Sequence, residues 1–306
     1  MKGFCKRVIN ISILLVILFS GISLVIVKIE KESTDRGFKG NEKVIRNKES
    51  KWTKSSALLM DKQTMEKIAP GMNHNIEARR YAHETKKIKR YINNEEKYDG
   101  HPLVFLTFDD GIHLTMTPKI LDILKENQVP ATFFILGSKV NDQTQQMLKR
   151  QLTEGHAIAL HGYSHDYNLL YPNGHASVPQ IEREFIKNKE ILNNYLGKEF
   201  VSKVWRYPGG HMSWEGLTNA DHLLDRSSVQ WIDWNASVGD ASPLEERPTT
   251  IDEMMNYLEA SYKTSTNQQV QVVLMHDGLD QSLTSEALPK VINFYKEKGY
   301  HFGILS

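Results

Sequence analysis

After Gly100 the chain falls into seven short apolar runs separated by longer stretches with helical periodicity. The runs cover 103–108, 131–136, 156–161, 203–207, 229–234, 270–275 and 300–305, and the helical stretches 116–127, 141–153, 178–195, 250–263 and 284–298. The runs are continuous rather than alternating, which fits strands buried on both faces. Strand alternating with helix implies a parallel sheet joined by right-handed crossovers. Seven such strands in one C-terminal body suit a (β/α) barrel better than two separate sheets.

In a barrel of this type the chemistry sits where strands end, so polar residues able to react should follow each apolar run. They do so at five of the seven. "VFLTF" leads into Asp109 and Asp110, and "AIAL" into His161, with His165 four residues on. "VW" leads into Arg206-Tyr207-Pro208-Gly209-Gly210, "WIDW" into Asn235 and Asp240, and "VQVVLM" into His276 and Asp277.

Each feature has a plainer reading. Asp-Gly is a common turn pair, yet the segment after Gly111 has to lead into a helix, not into a second antiparallel strand. Histidines at i and i+4 can converge on one metal, but with 12 histidines in the chain the spacing also arises by chance. A third ligand from Asp109 or Asp110 would complete a catalytic site for a divalent ion, with zinc the simplest choice. The other aspartate could then act as a base toward water. Arg206 could be an ordinary arginine and His276 an ordinary core histidine. Pro208 and Gly209 suggest a shaped loop whose backbone N–H could meet an oxyanion. His276 is placed to protonate a leaving group. Trp214, Trp231 and Trp234 are core residues or sugar platforms.

The N-terminal part differs in character. Val8 to Val27 carries no charge, and as a helix it would span roughly 30 Å, the thickness of a bilayer core. Residues 1–27 are therefore expected to be a short tail and an uncleaved single-pass anchor. Residues 28–100 are lysine-rich and are expected to form a mostly solvated, partly helical stem, with Tyr81, Ile88 and Ile92 on one thin stripe. Net charge follows the same division. Residues 101–306 hold 17 Lys+Arg against 25 Asp+Glu, a net of −8, although the whole chain is +1. An acidic body argues against nucleic acid as a partner, and no obligate protein partner is inferred. Cys5 is the one cysteine, so no disulfide forms within the chain.

Taken in order, "TFDDG", "HGYSH", "RYPGG", "DWNASVGD" and "LMH" resemble the motifs of the polysaccharide deacetylase family, carbohydrate esterase family 4, over residues 100–306. The resemblance implies a distorted (β/α) barrel. It also implies Asp109 as general base and Asp110, His161 and His165 as ligands of a divalent metal, zinc first and cobalt, nickel or manganese as alternatives. By the same resemblance Arg206 orients the base, Gly209 donates to the oxyanion, His276 is the general acid and Asp240 its partner. Leu274 would wall the acetyl-methyl pocket, with Tyr207 and Trp234 facing substrate. The chain departs from the family at Gly162, where Ser or Thr is common. It departs again at Ser237 and Ala241, where Asp and Trp often stand, leaving Trp234 as a substitute platform.

The expected activity is hydrolysis of the acetamide of N-acetylglucosamine in a cell-wall glycan, peptidoglycan first, releasing acetate. A wall-attached polysaccharide or its linkage unit is the alternative substrate, and a catalytically silent glycan-binding protein the alternative function. The domain 101–306 is expected outside the cell, held to the membrane through 8–27. Protease added to intact cells should then cleave this domain; full protection of it while a known surface protein is cut would place it in the cytoplasm.

Overall fold

In a computed structural model of the protein, the described residues are 68–278 and 282–306. The segment 8–27 and residues 28–67 lie outside them, and among the described residues no helix is long and apolar enough to cross a membrane.

The elements, in chain order, begin with β1 (Ala82–His83), α1 (Thr85–Ile92), β2 (Leu103–Asp109), α2 (Met116–Asn127), β3 (Thr132–Ile135) and α3 (Gln145–Thr153). Next come β4 (Ala157–Leu160), α4 (Tyr167–Leu170), α5 (Val178–Leu196), β5 (Val204–Trp205), α6 (Thr218–Arg226) and β6 (Gln230–Trp231). The last are β7 (Ala236–Ser237), α7 (Ile251–Thr264), β8 (Val270–His276), α8 (Ser282–Glu297), β9 (His301–Phe302) and β10 (Ile304–Leu305). The expected α2 range is reproduced residue for residue. The runs at 203–207 and 229–234 shrink to two-residue strands, and the run at 300–305 splits around Gly303. Strand β7 and helices α4 and α6 were not foreseen.

The main sheet runs β6-β5-β4-β3-β2-β8-β7, with β9 also paired to β2, and every pairing is parallel. It is an open barrel, because β6 and β7 are its ends and do not pair with each other. All seven residues of β2 are buried. One large apolar cluster holds residues of the outer helices, such as Ile120, Leu121, Leu148, Ile181, Leu192, Leu288 and Ile292. A second unites Phe105, Phe134, Ala159, Ile232 and Val272, from the strands or just beyond them, with Ile88, Tyr91 and Ile92 of α1.

That second cluster revises the expected stem. Residues from Ile68 onward belong to the barrel domain. Ile88 and Ile92 do form an apolar stripe, but it is buried against strands instead of lying along a solvated helix. Further bonds hold the segment there. Thr266 Oγ1 donates to the carbonyl of Ile92 at 2.5 Å, Asn267 Nδ2 to that of Tyr91 at 2.8 Å, and Asn73 Nδ2 to that of Leu305 at 3.0 Å.

Two register pairs position the chemistry. Asp109 lies opposite His276 on β8. Leu160 lies opposite Trp205, so His161 and Arg206 leave their strands side by side. The plug formed by α1 yields a direct test. Ile88→Ala should lower the unfolding free energy by about 2–5 kcal/mol, the usual cost of a buried large-to-small change. In urea denaturation a solvated stem would instead show a change within about 0.5 kcal/mol.

Candidate active site

Arg206 has no exposed surface and Asp109 is 2% exposed. The guanidinium Nη1 donates to Asp109 Oδ1 and to Thr107 Oγ1, each at 2.8 Å. Its Nε donates to the Ile232 carbonyl at 3.1 Å and its Nη2 to the Asp233 carbonyl at 3.2 Å. The guanidinium carbon lies 3.9 Å from the centroid of the Phe134 ring. A charge this deeply buried requires pairing and hydrogen bonds on nearly every donor, and Arg206 has them. Asp109 Oδ1 is thereby taken, while Oδ2 points toward His161, 3.7 Å from its Nε2.

Asp110 faces a different set of neighbours. Its Oδ1 lies 3.4 Å from Nε2 of His161 and 3.4 Å from Nε2 of His165. These three ligand atoms all lie within 4.8 Å of one another. Burial raises the Asp110 pKa, but with no ion bound the imidazolium forms of His161, then His165 and His276, outweigh it and hold the carboxyl well below the usual range. Asp110 Oδ1 is buried and makes no hydrogen bond meeting ordinary geometry, a condition a cation would satisfy. His161 Nδ1 sits 2.8 Å from the Arg206 carbonyl. A carbonyl only accepts, so Nδ1 carries the proton and Nε2 presents a lone pair, the usual arrangement for a metal-ligating histidine. Burial and then His161 lower the His165 pKa, which favours the neutral ligand form. The residues therefore fit a divalent ion, with Asp110, His161 and His165 as its ligands.

The loop that carries the histidines is tied from behind. Glu184, buried on α5, accepts from the backbone N–H groups of Tyr163 and Ser164 at 2.6 Å each, and from Ser164 Oγ at 2.8 Å. Asn188, one turn further on, donates to the carbonyls of Gly162 and Ile135. These two residues hold the loop where Gly162 lacks a hydroxyl. They were missed in the sequence, although the signal was there: Glu184 and Asn188 fall on the apolar stripe of α5 with Ile181, Phe185 and Leu192.

Opposite lies the turn Tyr207-Pro208-Gly209-Gly210, closed by a bond of 2.8 Å from the Gly210 N–H to the Tyr207 carbonyl. Proline second and glycine third, at φ 78°, are the residues of a type II turn. A Cβ on Gly209 would lie 3.1 Å from Trp214 and 3.2 Å from the Tyr167 hydroxyl. The Gly209 N–H makes no hydrogen bond within the described residues. Trp214 is stacked on Tyr171 at 4.1 Å, and Tyr167 lies beside it and against His165. Burial, then the charges of Asp110 and Asp109, push the Tyr167 hydroxyl up to about 12, so it remains a neutral donor. A cavity of about 380 Å³ opens at the metal-binding group, lined in part by Asp110, His113, Leu136 and His165.

His276 closes the other side. Its Nδ1 is 2.9 Å from Asp240 Oδ1, and Asp240 Oδ2 accepts from the His276 N–H and from Thr284 Oγ1, each at 2.8 Å. Burial lowers the His276 pKa, but the charge and hydrogen bond of Asp240, with Asp109 and Asp110 beyond, push it up to about 9. Asp277, fully buried, accepts from Thr117 Oγ1 at 2.5 Å and packs against the backbone of Gly111.

The expected substrate-facing side chains divide. Tyr207 is fully buried, donating its hydroxyl to Asp221 at 2.9 Å, and is a core residue instead. Side chains alternate along an extended segment, so with Arg206 turned into the barrel Tyr207 turns outward under the helices. Leu274 is 8% exposed. Trp234 is half-buried, its ring 5.6 Å from the Arg206 guanidinium carbon.

Comparison with known proteins gives an independent line. A sequence profile of the family described as Polysaccharide deacetylase matches residues 96–223. The chain is 33% identical to the putative polysaccharide deacetylase YheN of Bacillus subtilis over 67% of its length and 68% of that protein. It is 29% identical to a peptidoglycan-N-acetylglucosamine deacetylase of Bacillus cereus over 72% of this chain and 76% of that one. The structure of a Streptococcus mutans CE4 esterase superposes with a TM-score of 0.76 at 46% identity, covering 79% of this chain and 99% of that chain.

Two substitutions test the metal-binding group. His165→Ala should lose stoichiometric zinc by calorimetric titration while the thermal unfolding profile is kept. Glu184→Gln should weaken zinc about 10–100-fold, the usual effect of removing a residue that orients a ligand; unchanged affinity would make Glu184 a packing residue only.

Proposed function

Since the chain belongs to the polysaccharide deacetylase family, we propose that it hydrolyses the acetamide of N-acetylglucosamine units in a cell-wall glycan, peptidoglycan first. The observation that carries this reading is the unequal treatment of two adjacent carboxylates. Arg206 claims Asp109, and the histidines surround Asp110. The wall glycan is supported by the Bacillus cereus relative, which is named for that substrate.

Asp110, His161 and His165 would hold the divalent ion, zinc in the simplest case. When bound, such an ion supplies Lewis acidity at the acetamide carbonyl. Asp109, anchored through Oδ1, has Oδ2 free to take a proton from the attacking water. The Gly209 N–H donates to the oxyanion as it develops. His276, held through Nδ1 by Asp240, presents Nε2 and gives its proton to the departing amine; acetate and the free amino sugar result. Tyr167 and Trp214 wall the site beside Gly209 and limit the approach of water. The barrel domain acts outside the cell, tethered through 8–27.

The activity is tested by incubating the zinc-loaded protein with peptidoglycan fragments and following acetate release, with mass spectrometry placing the lost acetyl (one C₂H₂O) on a sugar. Acetate without loss from N-acetylglucosamine, or none at all, would exclude the proposed substrate.

The pH profile follows from His276. As an acid it must be protonated, so kcat/KM should hold below the pKa that Asp240 raises and fall as pH rises through it. Asp240→Asn removes the carboxylate that raises this pKa and leaves the burial that lowers it. The alkaline limb should therefore move to lower pH while the acidic limb stays nearly in place. An unmoved alkaline limb would make the Asp240 contact purely structural.

A further inference from the structure

The open edge of the barrel holds a larger cavity than the metal site. It measures about 690 Å³ against about 380 Å³, within the roughly 300–1,000 Å³ of small-molecule sites. Its lining includes His211 and Met212, directly after the Gly209-Gly210 turn, with Asn93 at the end of α1 and Thr264 at the end of α7. Trp231 of β6 and Ser237 of β7 both line it, so it lies at the gap that these strands leave unpaired.

Its lining combines aromatic faces with amide and hydroxyl groups. Trp231 is fixed on both sides, stacked on His211 at 3.7 Å and 6° and lying under Lys89 Nζ at 3.0 Å from the ring centroid. His211 is held in turn by Asp221, 2.9 Å from its Nε2, and by Asp233, which accepts from its backbone N–H at 2.9 Å. This wall is rigid. Trp234 and Tyr257 also line the cavity, and neither ring stacks on another ring among the described residues. Trp234 also approaches the residues that support the reaction site. Its ring lies 2.8 Å from where a Cβ of Gly210 would sit, and 5.6 Å from the guanidinium carbon that anchors Asp109.

We propose that this cleft binds a pyranose unit of the same glycan strand, away from the unit being deacetylated. A pyranose presents an apolar C–H face and a rim of hydroxyl and acetamide groups. The Trp234 and Tyr257 faces match the first, and Asn93 and Ser261 are polar groups of the kind that match the second. Continuity with the turn carrying Gly209 makes the occupant a segment of the substrate chain. The inference rests on the proposed reaction at Asp109 and His276.

Ala260 and Thr264 line the cleft from the exposed side of α7, so Ala260→Trp and Thr264→Trp should fill it without disturbing the core; thermal unfolding confirms that each folds. Binding of β-1,4-linked N-acetylglucosamine oligomers is measured by calorimetry on zinc-loaded Asp109→Asn protein, with and without each filling substitution. The hexamer should lose at least about tenfold in affinity on filling, roughly 1.4 kcal/mol, and the dimer should be unaffected. Equal hexamer binding in filled and unfilled proteins, or no hexamer binding by the unfilled protein, overturns the proposal. Turnover separates it from the reaction itself. In the protein with Asp109 intact, filling should remove the kcat/KM advantage of hexamer over dimer and keep the dimer rate. Hexamer binding that depends on the cleft, with no acetate from either oligomer, would refute the deacetylase reading and leave the cleft assignment standing.

Discussion

The site depends on one guanidinium buried without exposed surface. Arg206 fixes Asp109 through its side chain and His161 through its own carbonyl oxygen. It therefore sets both the orientation of the proposed base and the tautomer of a candidate ligand. Burying the charge is tolerable because Asp109, Thr107 and two strand-end carbonyls accept from it. Removing one partner of such a pair usually costs about 3–5 kcal/mol, since the other charge is left stranded. The same network prevents Asp109 from serving as a further metal ligand through Oδ1.

The architecture accounts for the rest of the arrangement. Parallel strands put their C-terminal ends on one face, and the Asp109–His276 register brings the proposed base and acid to neighbouring positions on that face. The sheet does not close, so the edges β6 and β7 leave a cleft down the side of the barrel. Helix α1 packs Ile88, Tyr91 and Ile92 with Phe105 and Val272 in one apolar cluster. An unclosed barrel thus carries a compact candidate reaction site and a separate lateral cleft.

Much of this was legible in the sequence because it follows from periodicity and local order. Helix α2 has a clean apolar stripe and is read correctly to the residue. The strand ends follow from where the apolar runs stop, and the meeting of His161 and His165 with one of two aspartates follows from those ends; the family resemblance is what singles out Asp110. What was not legible depends on distant partners. Glu184 and Asn188 support a loop some twenty residues away in sequence, and only their place on an apolar stripe marks them. The family resemblance puts Tyr207 at the substrate; alternation along the strand sends it the other way. Helix α1 looked solvated because its four basic residues outnumber its three apolar ones, and the stripe of Ile88 and Ile92 was too thin to show what it packs on.

The central claim is that adjacent aspartates have different duties because Arg206 holds one and the histidines hold the other. Zinc stoichiometry and turnover measured together on Asp109→Asn and Asp110→Asn test it most directly. The account predicts that Asp109→Asn keeps its zinc and loses about 10²–10⁴-fold in kcat, the usual size of a general-base contribution, while Asp110→Asn loses the zinc itself. Equal loss of zinc in the two variants, or full turnover in Asp109→Asn, would contradict it.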